Sequence, residues 1–291
     1  MQLSYVQPIV KRITKEMENA KQNVVVPYDF TERADCAVKH AALIARNKDA
    51  EVVLLHIVKK EAQSADAAAK LDGLVAQIAA DEKVSCRYIV REGTIFTTIN
   101  EVVAEQGSML VVMGTHGMKG MQRITGSWAL KVIVGCTVPY LIVQKDPEYK
   151  KPLRVLFPVD YKMESKEKLK WMPILALIGD LKVVLFGQQG NGPMYDNPTR
   201  ANMNFCRHYL EETNVDCENV WVDEKGSFLE LSLKYCEDNK MDMIMVTTTR
   251  DIAFHDYILG AYEQTIISNS AGIPVFVVNP RPDAKLAFSN F

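Results

Sequence analysis

The sequence predicts an α/β fold: two tandem, doubly wound domains, each built on a parallel sheet. Three observations carry that expectation. Short β-branched runs alternate with helical patterns along the chain, as they do where helices connect parallel strands. The pattern restarts near residue 154 and repeats to the end of the chain. Finally, the apolar run Met109–Met113 passes directly into a loop spaced by Gly114, Gly117, Gly120 and Gly126-Ser127. That places a glycine-rich loop at the carboxyl end of a strand, where open α/β sheets bind ligands.

In chain order, residues 1–22 come first, with Val6, Ile9, Val10, Ile13 and Met17 at helical spacing and Lys11, Arg12 and Lys15 elsewhere. Such a basic amphipathic helix packs on the protein's own surface more often than on a membrane. Asn23-Val-Val-Val-Pro-Tyr-Asp29 is a strand ending in Pro27-x-Asp29, and residues 31–47 form an Ala-rich helix with Ala34, Ala37, Val38, Ala41, Ile44 and Ala45 inward. Residues 51–58 are the second strand. Residues 61–82 are a helix through Leu71, Leu74, Val75 and Ile78, and 84–90 the third strand. A helix over 94–105 leads into Met109–Met113. After the glycine loop, 128–134 is a helix ending at Gly135, and 138–143 the last strand.

Asp146-Pro-Glu-Tyr-Lys-Lys-Pro152 is a charged, Pro-flanked connector. Beyond it, Arg154-Val-Leu-Phe-Pro-Val-Asp160 repeats the first strand, Leu181–Phe186 the second, and Asn219–Gly226 the third with its turn. Gly226 precedes Met243 by the same interval that separates Gly93 from Leu110, and Ala271–Val278 repeats Cys136–Val143. The second copy lacks the glycine loop: Thr247-Thr-Thr-Arg250 stands where Gly114-Thr-His-Gly117 stood, and Gly260-Ala261 replaces Gly126-Ser127. A Cβ at each lost glycine obstructs close backbone approach to a phosphate. Pro173 should stop or kink the helix expected over 166–177. Gly187–Pro193 reads as a flexible loop without a strand–loop–helix frame around it. The expected boundaries are 1–22 for the extension, 23–148 for the first domain, 149–282 for a degenerate second domain, and 283–291 for a tail.

The stretch from Gly114 resembles the nucleotide-binding loop of universal stress proteins, Gly-x-x-Gly followed by Gly-Ser or Gly-Thr. Here eight residues (118–125) stand where that family has nine. The resemblance extends over 23–145 and implies a Rossmann-like fold that holds ATP, with or without Mg. Val-Pro-x-Asp ends the first strand and Leu54-Leu55-His56-Ile57 lies in the second. The resemblance implies that Asp29 and Ile57 lie around adenine and Met113 beside the ribose, with Pro27 also among the binding residues. It assigns the rest of the nucleotide to Gly114, His116, Gly117, Gly126, Ser127 and Trp128. It also implies pairing through the strand after the loop. Tyr140–Gln144 and Val275–Asn279 would then meet within one chain as a pseudo-dimer, and a homodimer of the whole chain stays open.

Composition narrows the alternatives. The 291 residues suit two domains of about 140 residues each. A content of 48% hydrophobic and 24% charged residues is ordinary for a globular protein, and a net charge of −2 offers nothing to nucleic acid. No apolar run reaches the roughly 18 residues needed to span a bilayer. The six cysteines show no metal-ligand spacing, which fits reduced thiols and a cytoplasmic location. No Walker lysine follows the loop glycines, and no Gly-x-Ser-x-Gly elbow or carboxylate cluster appears, so neither a catalytic residue nor a metal ligand is nominated. By themselves the glycines can be turns, Asp29 a turn acid, and His56 a buried histidine. A stress-response regulator that binds nucleotide and a scaffold of the same fold that binds none both remain open, as does slow ATP hydrolysis.

Overall fold

The computed structural model describes residues 23–115, 132–133, 136–248 and 265–280. The segment 1–22, loop residues His116, Gly117, Gly126 and Ser127, Trp128 with its helix start, residues 249–264, and the tail 283–291 lie outside the described residues.

The chain divides into two compact units. One comprises Ala20–Pro147 with Ile267–Pro274; the other contains Glu148–Ile266 and the chain from Val275. In the first, β1 (Asn23–Pro27), α1 (Glu32–Lys48), β2 (Glu51–Val58), α2 (Ser64–Glu82), β3 (Ser85–Glu92), α3 (Ile95–Gln106), β4 (Leu110–Gly114) and β5 (Tyr140–Val143) alternate as expected. Their strands are all parallel, in the order β3-β2-β1-β4-β5. The chain winds outward from β1 through β2 to β3, then returns to β4 on the other side of β1. The order therefore reverses between β1 and β4, and loops leaving those strands diverge to open a crevice.

Local chemistry explains these elements. Val24, Val25, Val26, Leu110, Val111 and Val112 are completely buried, as strands covered on both faces require. Each such side chain contributes roughly 1.5–3 kcal/mol relative to exposure. The predicted inner face of α1 is buried at every position. Thr31 caps that helix: its hydroxyl accepts from the Ala34 N–H at 3.3 Å.

In the second unit the elements are β6 (Leu153–Pro158), a 3-10 helix Met163–Trp171, α4 (Met172–Leu175), β7 (Leu181–Gln188), α5 (Pro193–Glu212), β8 (Asp216–Val222), α6 (Phe228–Asp238), β9 (Met243–Thr247) and β10 (Val275–Val278). The strands are again parallel, in the order β10-β9-β6-β7-β8.

Two expectations need correction here. The helix over 166–177 is mostly replaced by 3-10 winding: the Met172 N–H bonds the Leu169 carbonyl, and Pro173, lacking an N–H, cannot return an α-type bond to Leu169. The loop at 187–193 does have a strand–loop–helix frame. β7 runs into Gln188 and α5 starts at Pro193, a residue whose fixed φ suits a first helical position.

Candidate functional site

The crevice of the first unit lies at the carboxyl ends of β1, β2 and β4. There a cavity of about 110 Å³ is lined by Asp29, His56, Ile57, Ile95, Met113 and Gly114, with Pro27, Tyr28 and Leu55 behind them. The structure thus brings together Pro27, Asp29, Ile57, Met113 and Gly114 from three separate strands. The remaining nominated residues, from His116 onward, lie outside the described residues.

Each of these groups has a physical reason for its place. Asp29 is held by one oxygen: Oδ1 accepts from the Thr31 N–H at 3.2 Å and the Thr31 hydroxyl at 2.6 Å. Its other oxygen, Oδ2, has no hydrogen bond among the described residues and is left as an acceptor. His56 donates from Nδ1 to the Tyr28 carbonyl at 2.7 Å, which fixes its ring and leaves Nε2 as an acceptor when neutral. The Tyr28 hydroxyl donates to Asp35 at 2.5 Å. Burial, and then that hydrogen bond, hold its phenol well above the ordinary range.

Gly114 is the one position here where a glycine is sterically required, because a Cβ would collide with the Arg33 carbonyl. The next residue, Thr115, is buried, and its hydroxyl has no hydrogen-bond partner among the described residues. The crevice thus presents an acceptor oxygen on Asp29 and a backbone at Gly114 that admits no Cβ, and the loop that follows starts at a buried hydroxyl without a hydrogen-bond partner among the described residues. Among the described residues no group of three or more His, Cys, Asp or Glu side chains could hold a metal. No described helix is long and apolar enough to cross a membrane.

One residue of this site escaped the sequence reading. Phe30 follows Asp29 with φ 62, a left-handed conformation that costs a bulky residue energy. Its side chain is 41% exposed, with ring centroids 5.4 Å from Tyr28 and 4.9 Å from His56. A strained, exposed aromatic at the crevice offers a stacking surface beside the cavity. The strain arises from backbone geometry, so no sequence pattern announced it.

A second and larger cavity, about 370 Å³, opens at the corresponding strand ends of the other unit, around Asp160, Tyr161, Gln188 and Tyr195. Asp160 repeats the role of Asp29: its Oδ1 accepts from the Lys162 N–H at 3.0 Å, two residues on.

Comparison with known proteins matches the fold. Residues 21–144 fit the model of the universal stress protein family. A universal stress protein of Methanocaldococcus jannaschii is 30% identical over 159 residues, spanning 47% of this chain and 90% of that protein. Among solved structures, a universal stress protein from Archaeoglobus fulgidus is similar with a TM-score of 0.70 at 17% identity, covering 89% of this chain and 98% of that one. A putative universal stress protein from Pseudomonas aeruginosa gives 0.61 at 18% identity, covering 94% and 99%. At such identities the two structures establish the fold alone.

Proposed function

The chain belongs to the universal stress protein family, and from that premise we propose that its first repeat binds ATP or a related nucleotide, with Mg, in the service of a cytoplasmic regulatory response to stress. The observation that carries this reading is the convergence of Asp29, Ile57, Met113 and Gly114 on one crevice from three strand ends. In this reading the free Oδ2 of Asp29 accepts an N–H of the base. Ile57 and Phe30 supply apolar and aromatic surface for the ring, and Met113 lies toward the sugar. Gly114 and Thr115 begin the loop whose later residues, His116, Gly117, Gly126, Ser127 and Trp128, are assigned to the phosphates by the family pattern.

We take the repeats to span 23–148 and 149–282, the second being a degenerate copy without the glycine loop. A second reading, an interaction protein that binds no nucleotide, is favoured by the modest 110 Å³ of the crevice and by the shorter loop.

Thermal melting with Mg-ATP separates the two. Ligand at about 100 times its dissociation constant stabilises by about 2.7 kcal/mol, so a clear rise in melting temperature is expected for the wild type. Asp29→Asn keeps the Oδ1 contacts with Thr31 and should lose most of the rise; Gly117→Arg, which copies Arg250 of the second repeat, should lose it all. No shift in the wild type supports the interaction protein instead.

A further inference from the structure

We propose that the cavity of the second unit is a binding site in its own right, for a planar heterocycle or aromatic amine that donates N–H hydrogens and carries no phosphate chain. The site goes beyond the nucleotide reading of the first repeat and does not depend on it.

The cavity's size comes first. Its 370 Å³ falls within the roughly 300–1,000 Å³ typical of small-molecule sites. Its mouth is also apolar where solvent should favour polar groups. Tyr161 and Tyr195 line it with their rings edge to face at 5.0 Å, yet they are 45% and 42% exposed. Met163 and Met194, their near neighbours in sequence, are exposed as well. Among the described residues these four make up all the exposed large hydrophobics except Phe30, which stands at the other crevice. Two exposed tyrosine rings lining one cavity point to an occupant that covers them.

The polar groups define the occupant's chemistry. Asp160 spends Oδ1 on the Lys162 N–H and the Ser165 hydroxyl, which leaves Oδ2 without a hydrogen among the described residues. Gln188 spends its amide Nε2 on the carbonyls of Glu224 and Gly226, at 2.9 and 3.4 Å. Its Oε1 is likewise left to accept. Two open acceptors in a cavity also lined by two tyrosine rings suit a flat ligand with N–H donors.

A phosphate chain does not fit the same surroundings. Asp160 lines the site, Lys162 is the one cation lining it among the described residues, and Thr247 occupies the position at which the first repeat can hold only glycine.

The walls are fixed in advance of any ligand. Buried Asn202 donates to the carbonyls of Asp160 and Lys162 at 2.9 and 3.0 Å. Buried Thr199 donates to the Tyr195 carbonyl at 2.7 Å, and Asp196 accepts from the N–H groups of Gly190 and Asn191, both at 3.2 Å. Buried Lys168 reaches the Pro158 carbonyl at the end of β6. Groups held this firmly lose little freedom on binding.

Titration calorimetry of the full chain with adenosine, cytidine and tryptamine as probes tests the proposal. At least one probe should bind saturably. Tyr195→Ala, a substitution at an exposed position, should weaken that binding about tenfold, in keeping with the loss of one stacking surface. Tyr195→Phe should retain it, and Asp160→Asn, which keeps the Oδ1 acceptor, should weaken it. The first-repeat variant Asp29→Asn should leave the Tyr195-dependent binding unchanged, so this site and the ATP reading can fail separately. Failure of all three probes to bind, or binding untouched by both Tyr195→Ala and Asp160→Asn, overturns the proposal.

Discussion

Lowering the pH should destabilise the first unit through one histidine. His40 on α1 is 1% exposed, and its Nε2 donates to the Lys145 carbonyl at 2.8 Å. Burial pushes its pKa down from the ordinary 6.5 to about 4, against the opposing pull of that carbonyl and of Asp146. Since the folded pKa is depressed, the neutral ring's contribution is fully present above the unfolded value of 6.5 and is lost as pH falls toward 4. A shift of this size is worth about 3 kcal/mol in full, of which about 2 kcal/mol is lost by about pH 5. Urea unfolding followed by circular dichroism at neutral pH and at pH near 5 measures the loss. His40→Leu forfeits a hydrogen bond at every pH, about 1 kcal/mol, but it has no imidazole left to charge. The stability difference between wild type and variant should therefore shift by about 2 kcal/mol on acidification, so that the variant, less stable at neutral pH, becomes the more stable of the two near pH 5. A gap that stays constant to within about 0.5 kcal/mol, the usual scatter of additive effects, would refute the assignment.

Three other outcomes follow from particular contacts. Gly114→Ala forces the Arg33 carbonyl aside and should cost about 1–3 kcal/mol by thermal melting, while also abolishing stabilisation by Mg-ATP. Phe30→Gly relieves a left-handed φ but gives up two ring contacts, so stability should stay within about 1 kcal/mol of wild type; affinity for ATP should nevertheless fall. Residues 23–148 expressed alone should self-associate in sedimentation experiments, because Tyr140–Val143 is an apolar strand with its edge uncovered in that fragment; a stable monomer at micromolar concentration would count against pairing of the two repeats.

The fold was legible because strand burial leaves a coarse signal. Runs such as Asn23–Pro27 and Leu153–Pro158 are apolar on both faces, and each is followed by an Asp that organises the next turn. Those nominated residues that are described line one crevice for the same reason, since Asp29, Ile57 and Gly114 sit at or near the ends of parallel strands. What stayed hidden depends on finer balances. Pro173 was read as a helix breaker, yet the 3-10 winding that precedes it also accommodates buried Lys166 and Lys168, and no periodicity reveals such burial. Gly192-Pro193 is a helix start that could have been recognised from proline's suitability for the first turn, but the glycines around it read more readily as loop. The larger cavity of the second unit has no glycine pattern to announce it, since it rests on tyrosines and an amide.

The central claim, that the first repeat holds a nucleotide, meets its most direct test in the native mass of the purified full-length protein equilibrated with Mg-ATP. One nucleotide per chain is expected, and in Asp29→Asn the bound fraction should drop sharply. A mass equal to the bare chain at saturating Mg-ATP would contradict the account.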